Sequence, residues 1–310
     1  PILVNFVVAD NPAFLEAPAS RGEAAKRRRT GTFTQSMEQL SLGKTWRQSC
    51  IFKVGDDCRQ DALALQLMTL FDMSFKAAGL DVYLKPYKTV TTAPGCGVIE
   101  VVPNAKSRHE IGETLDGNLF DYFVGKYGHT ESASFQRARR NFIRSMAAYS
   151  VVSFLMHYTD RHNGNLLLDE DGHLIHIDFG FFFRHTPGGN FGFERSPFKN
   201  SLEFFALLGG SDDAESYLWF QELTIKAFLA CRERMRDFVV LAELVSRTGL
   251  PVFDDPESLK QFQERFVPDY SEAEAANFMK MKIFESKNHF TTNIYDAFQW
   301  LTQNIEYTSK

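Results

Sequence analysis

Apolar residues along this chain first alternate and later recur in steps of three and four. PILVNFVVAD, residues 1–10, reads as a strand, and WRQSCIFKV, residues 46–54, as a second of β-branched, alternating character. Between them, residues 11–44 lose the pattern and become rich in Ala, Ser, Gly and Thr, which predicts a solvated insertion. Over 57–78, Leu63, Leu67, Leu70, Phe71, Ser74 and Ala78 share one helical stripe, and Gly79 ends it. Two more strands are predicted over 82–91 and 97–102, separated by the turn-rich APGCG, with Pro103-Asn104 closing the second. Helical spacing then takes over. A short helix at 119–126 ends at Gly128. A long one over 132–157 carries Phe135, Ala138, Phe142, Met146, Tyr149, Val152 and Met156 on one stripe. The polar loop TDRHNGN follows, then strands at 166–168 and 174–177 around the turn DEDG, and an irregular Gly/Phe segment over 178–200. From Leu202 onward the pattern is helical, broken at GGSDD, TGLPVFDDP and VPDYS. The expected fold class is α+β: a small strand-rich domain with one helix over 1–102, then a larger helical domain over 103–310.

Composition narrows the class. Of 310 residues, 44% are hydrophobic and 24% charged, so the chain has material for a sizeable core and does not read as disordered. The net charge of −5 gives no general pull toward nucleic acid. Cys50, Cys58, Cys96 and Cys231 show no paired metal-ligand spacing and are too few for a disulfide scaffold, which favours a reducing, cytosolic setting. No apolar run is long enough for a membrane-spanning helix. The run KRRR at 26–29 lies within the basic insertion and reads as a loop feature, with an import signal or anionic-lipid patch as the alternative. The chain starts at Pro1, which suggests a piece of something longer. Phenylalanine is abundant at 30 residues, nine of them between Phe179 and Phe205. A cluster that dense needs a core or a membrane to meet it.

The strongest chemical signal is DRHNGNLLLDEDGHLIHIDFG, residues 160–180. It sets Asp160, His162 and Asn165 on a tight loop entering a hairpin that delivers Asp178 at the end of a buried strand. Singly, these residue types are turn formers or hydrogen-bonded surface groups. Grouped among apolar runs, where an uncompensated carboxylate is expensive, they point to chemistry. Asn165 and Asp178, brought together by the hairpin, suit an oxygen-loving ion such as Mg²⁺. Asp160 or His162 is then available to take a proton from an attacking hydroxyl. A second signal is IFKVGDDCRQD, residues 51–61, with Lys53 near the end of a strand and Asp61 opening the next helix. Such a lysine, steadied by a helix carboxylate, is what phosphoryl transfer needs. GxSxG, HExxH, GxGxxG and Walker A motifs are all absent.

DRHNGN followed by HIDFG, with Asp-Arg-His in that order, resembles the phosphatidylinositol 3- and 4-kinases. KVGDDCRQD is similar to that family's ATP-lysine strand and following helix. APGCGVIEVVPNA, NFIRSMAAYS, HIDFGFFF with PGGNFGFE, and DAFQWL are similar to the type III phosphatidylinositol 4-kinases, the alpha class in particular, whereas KPYK and DRHNGN are shared with the beta class. The resemblance covers roughly residues 45–305. It implies a bilobal protein-kinase-like fold, with the N-lobe over 1–102, the C-lobe over 103–310, a catalytic loop at 160–165 and an activation loop at 178–199. It implies that Lys53 contacts the ATP phosphates with Asp61 nearby, and that Tyr87 lines the adenine pocket. Glu100, Val101 and Val102 would form the hinge, with the Glu100 and Val102 backbones bonding adenine. Asp160 and His162 would serve the inositol hydroxyl, and Asn165 and Asp178 would hold Mg²⁺, with Mn²⁺ as an alternative ion. The family's phosphate-covering loop is expected upstream of Pro1.

Within the expected lipid-binding loop, Arg184, His185 and Arg195 stand against Glu194. So thin a positive charge fits a lipid with a single phosphodiester, plain phosphatidylinositol, better than a polyphosphorylated one. The expected reaction is in-line transfer of the ATP γ-phosphate to the inositol 4-hydroxyl. Expected partners are membrane phosphatidylinositol and, through regions outside this sequence, scaffolding or regulatory subunits at the cytosolic face of the plasma membrane. A helix over 290–305 with Ile294, Phe298, Trp300 and Leu301 on its apolar side would rest on the membrane interface or pack on the C-lobe. The competing readings are a phosphatidylinositol 3-kinase, a protein kinase of the related large-kinase group, and a pseudokinase or scaffold.

Overall fold

The computed structural model describes residues 1–9, 45–55, 57–114, 117–158, 161–183 and 196–288. The first region is an antiparallel sheet of β1 (Ile2–Ala9), β2 (Thr45–Val54), β3 (Thr89–Ala93) and β4 (Cys96–Glu100), in the order β1-β2-β4-β3. Its register sets Lys53 opposite Gly97 and Cys50 opposite Glu100. β3 is shorter than the sequence pattern predicts, since residues 82–88 form no strand. Pro86 cannot donate to a ladder, and the segment spends its amides elsewhere. Tyr83 N–H donates to the Arg144 carbonyl at 3.3 Å and Lys85 N–H to the Tyr149 hydroxyl at 3.2 Å, so this stretch lies along a helix rather than a strand.

Helix α1 (Arg59–Ala77) follows β2. Gly79 at φ +66° turns the chain out of it, and Leu80 N–H closes back on the Phe75 carbonyl at 3.0 Å. The predicted stripe of Leu63, Leu67, Phe71 and Ser74 is buried, but so are Ala64, Leu65, Met68 and Phe75, while Ala78 is exposed. A helix apolar on most sides belongs in an interior, and α1 packs against the sheet and against two helices of the second region, α6 (Glu215–Glu233) and α7 (Met235–Ser246).

That second region contains a small antiparallel sheet, β5 (Ala105–Ser107), β6 (Leu166–Asp169) and β7 (Leu174–His176), with β6 in the middle. The predicted β6–β7 hairpin is present; β5 and the helix after it, α2 (Arg108–Thr114), were not anticipated. A capping box starts α2: Glu110 Oε2 accepts from Ser107 N–H at 2.6 Å, and Ser107 Oγ accepts from Glu110 N–H at 3.1 Å. Around the sheet lie α3 (Leu119–Tyr127), α4 (Ala133–Met156), α5 (Leu202–Leu207), α6, α7, α8 (Ser258–Glu264) and α9 (Glu272–Asn288). Every residue of the predicted α4 stripe is buried, and α4 packs against α3, α6 and β7. The chain is thus α+β, with a sheet region preceding a helix-dominated one. The phenylalanine cluster meets a core: Phe179, Phe182, Phe183, Phe198 and Phe204 are buried. No helix among the described residues is long and apolar enough to cross a membrane.

Candidate active site

The β6–β7 hairpin sets the geometry. Leu166 pairs with His176, and Ile177 N–H donates to the Asn165 carbonyl at 3.1 Å, so Asp178 lies one residue beyond Asn165's partner, as the spacing anticipated. At the mouth of the hairpin His162 is buried, and its Nδ1 accepts from Gly164 N–H at 3.0 Å. A neutral His162 accepting there carries its proton on Nε2.

Asp178 is in the left-handed region at φ +59°, and its residue is exposed while its backbone is held on both sides. Its N–H donates to the Tyr87 hydroxyl at 3.2 Å, and its carbonyl accepts from the Arg161 guanidinium, which also bonds the Ile177 carbonyl at 2.8 Å. The next two residues are held from α1. Phe179 N–H donates to Asp61 Oδ1 at 3.0 Å, and Gln60 Nε2 donates to the Gly180 carbonyl at 2.8 Å. Gln60 Oε1 in turn accepts from Val252 N–H at 3.1 Å, tying the start of α1 to the 3₁₀ turn Pro251–Phe253. Phe179 is buried against the rings of Tyr87 and Tyr158, and the Arg161 guanidinium lies 5.3 Å from the centres of both the Tyr158 and Phe179 rings. Three separate parts of the chain, residues 60–61, 87 and 161, thus fix one four-residue stretch of backbone.

The charges around it converge. Burial pushes the Asp61 carboxyl above its usual range, and the nearby Asp178 carboxylate adds to this. Lys53, the Phe179 N–H and Arg161 pull the other way. Burial, with Asp61 second, raises the Tyr87 hydroxyl well above its ordinary value, so Tyr87 is a neutral hydrogen-bonding group. Lys53 is half-buried on β2 across from Gly97. A side chain at Gly97 would bring a Cβ within 2.6 Å of Cys58 Sγ, so close packing of β4 on the start of α1 requires glycine there. At the end of β4, Glu100 N–H donates to the Lys88 carbonyl at 2.8 Å, and Val101 N–H to the Ser49 carbonyl at 3.0 Å. Among the described residues the Val102 N–H has no backbone acceptor. His176, buried behind the hairpin and stacked on Tyr149 at 4.5 Å, is held neutral by burial and by the charges of Arg161 and Lys199.

The structure brings Lys53, Asp61 and Tyr87 together with Asp178, sets His162 and Asn165 at the mouth of the hairpin that carries Asp178, and leaves residues 100–102 at the end of the sheet that carries Lys53. Asp160 lies outside the described residues, as do the basic insertion over 11–44, residues 184–195 of the expected activation loop, and the C-terminal helix expected over 290–305. Sequence reasoning missed three buried polar residues: Gln60, Arg161 and Lys199. Gln60 and Arg161 each adjoin a residue that was singled out, and a long polar side chain beside an apolar run was the available signal. No group of three or more His, Cys, Asp and Glu side chains among the described residues forms a metal cage.

A two-region α+β fold joined by a lysine, a helix carboxylate and a hairpin-borne Asp-Phe-Gly is the architecture of a kinase-like phosphotransferase domain. Comparison makes the class specific. The family model for phosphatidylinositol 3- and 4-kinases matches residues 47–255, and the chain belongs to that family. It is 48% identical over 260 residues to phosphatidylinositol 4-kinase stt4 of Schizosaccharomyces pombe, covering 84% of this chain and 14% of that protein. Phosphatidylinositol 4-kinase alpha 1 of Arabidopsis thaliana is 46% identical over 261 residues, covering 84% and 13%. Phosphatidylinositol 4-kinase beta 1 of the same plant is 39% identical over 264 residues, covering 83% and 23%. The chain thus corresponds to the catalytic domain of relatives several times its length.

Proposed function

We propose that this chain is the two-lobed catalytic domain, divided near residue 103, of an alpha-class phosphatidylinositol 4-kinase. It transfers the γ-phosphate of ATP to the 4-hydroxyl of membrane phosphatidylinositol. The observation that carries this reading is the presentation of Asp178: an exposed residue on a backbone locked from α1, Tyr87 and Arg161, with Lys53 and Asp61 beside it. Identity of 46% to the alpha 1 relative of Arabidopsis thaliana against 39% to its beta 1 relative supports the class.

The donor set fits ATP with Mg²⁺. One exposed carboxylate, Asp178, and the amide of Asn165 on the facing strand end are the residue types that a Mg²⁺ ion shared with substrate phosphates takes from a protein. When bound, the ion supplies charge neutralisation at the transferring phosphoryl group. Lys53, steadied by Asp61, attracts and orients the phosphates. The Val102 N–H, uncommitted to the backbone among the described residues, donates to adenine, with the Glu100 backbone beside it. Asp160, with His162 on the same catalytic loop, serves the inositol hydroxyl and accepts its proton. Residues 184–195 carry little positive charge, as a headgroup with one phosphodiester requires. Scaffolding subunits acting through other parts of the protein bring the domain to the cytosolic face of the plasma membrane.

The test is positional. Full-length protein is incubated with phosphatidylinositol vesicles and ATP labelled in the γ-phosphate, and the product is mapped. Label at the inositol 4-position is expected, and Asp178→Asn, which keeps a residue tolerant of the left-handed region, lowers the rate by at least about 100-fold. Label at the 3-position or on protein, or full activity in Asp178→Asn, overturns the reading.

A further inference from the structure

Residues 196–200 return the chain to the core at the C-terminal end of the activation loop expected over 178–199. Phe198, Lys199 and Asn200 are each under 5% exposed. Lysine is rarely buried so deeply, because its ammonium must find acceptors inside the protein. Lys199 Nζ donates to the Arg161 carbonyl at 3.1 Å and to Asn163 Oδ1 at 3.2 Å. The first acceptor belongs to the peptide that joins Arg161 to His162. The second is the side chain that opens the 3₁₀ turn Asn163–Asn165. Lys199 thus grips the entry to the turn that presents His162 and Asn165, on either side of His162. On its other side Asn200 Nδ2 donates to Ser286 Oγ of α9 at 3.3 Å, which anchors the segment to the helical core.

We infer that Lys199 is a positioning residue for phosphoryl transfer, fixing the Arg161–Asn163 backbone so that this turn takes its working geometry only when residues 196–200 are seated. The inference rests on the reading of residues 160–165 as the catalytic loop. A methionine of similar length would fill the same buried slot without the cost of burying a charge, so packing alone does not call for the ammonium. Its bonds to a main-chain carbonyl and an amide oxygen are charge-assisted and directional. They tie the base of the lipid-binding loop to the catalytic loop, so that disturbance of one is felt by the other.

Lys199→Met in the full-length protein, assayed with phosphatidylinositol vesicles and ATP, tests this. The expected result is an unchanged or higher melting temperature and an ATP KM within about twofold of wild type. The kcat falls by about 100-fold, the scale at which a misplacement near 1 Å acts. Lys199→Gln, which keeps a donor for one of the two acceptors, recovers part of the loss. A folded Lys199→Met or Lys199→Gln protein with kcat within about threefold of wild type overturns the inference, as does failure of both variants to fold. So does a loss confined to KM. Asp178→Asn separates the two levels. If it is inactive while Lys199→Met is fully active, only the positioning role fails; if it is itself active, the reading of the catalytic loop fails.

Discussion

Arg161 holds the Asp-Phe-Gly backbone through a guanidinium fork that a lysine cannot reproduce, and Arg161→Lys isolates that property. The side chain is 1% exposed, bonds the Ile177 carbonyl at 2.8 Å and the Asp178 carbonyl as well, and lies over two aromatic rings. Lysine keeps the positive charge but reaches one of the two carbonyls, so one charge-assisted bond worth about 1.5–3 kcal/mol is lost. The weaker stacking of an ammonium removes about 0.5–1 kcal/mol more. Asp178 at φ +59° is held against a conformational preference of roughly 1–2 kcal/mol. Releasing its carbonyl lets the residue relax and swings its carboxylate away from Asn165. The two losses come to about 2–4 kcal/mol, and that relaxation, worth roughly 1–2 kcal/mol, leaves a net loss of about 1–2 kcal/mol. With about 2.1 cal/mol/K of unfolding entropy per residue, a chain of this length melts about 1.5–3 °C lower. Calorimetry reads the stability, and the vesicle assay reads a kcat that falls by at least about 100-fold. A melting temperature within about 1 °C of wild type together with unchanged turnover refutes the clamp.

The elements legible in the sequence were those whose periodicity is set by burial on one face, such as α4 with its unbroken stripe and the β6–β7 hairpin with its Asp-Gly turn. The register that sets Asn165 opposite Ile177, the residue before Asp178, was legible for the same reason, since a hairpin of known turn fixes which residues lie opposite. Residues 82–88 misled because an alternating pattern with β-branched and aromatic residues looks like a strand. Only tertiary contacts show that Tyr83 and Lys85 donate to α4 instead. β5 and α2 were missed although Ser107 and Glu110 stand at capping-box spacing, because a seven-residue helix is too short to display a period. Within the site, Lys53, Asp61 and Asp178 drew notice as charges in apolar surroundings. The roles of Gln60, Arg161 and Lys199 depend on main-chain carbonyls and amides far away in sequence, which no local pattern records. The phenylalanines asked for a core or a membrane, and the described ones went largely to the core because Phe179, Phe182 and Phe183 flank backbone that must be kept dry and rigid.

Substitutions at two further places probe what holds the site in place. Arg108 and Glu203 form an ion pair at 2.8 Å with both side chains nearly buried, joining α2 to the helix that follows residues 196–200. Glu203→Ala is expected to cost about 3–5 kcal/mol in urea unfolding, and Arg108→Met with Glu203→Leu to recover most of it; a cost below about 1 kcal/mol in the single variant would show the pair to be idle. Asp61 gives a pH signature. Its folded carboxyl sits above the unfolded value near 3.8, chiefly through burial and then through Asp178, so the native state holds a proton that the unfolded chain has released. Stability contributed by that proton is present below the unfolded value and is lost as pH rises through the raised one, after which the effect is constant. Asp61→Asn removes this dependence while keeping an oxygen to accept the Phe179 N–H. Its stability relative to wild type should therefore rise with pH and level off, even as turnover falls because Lys53 has lost its carboxylate. The opposite trend, a variant that weakens relative to wild type as pH rises, would mean that attraction to Lys53 and Arg161 outweighs burial, and that Asp61 stabilises the fold as well as serving the site.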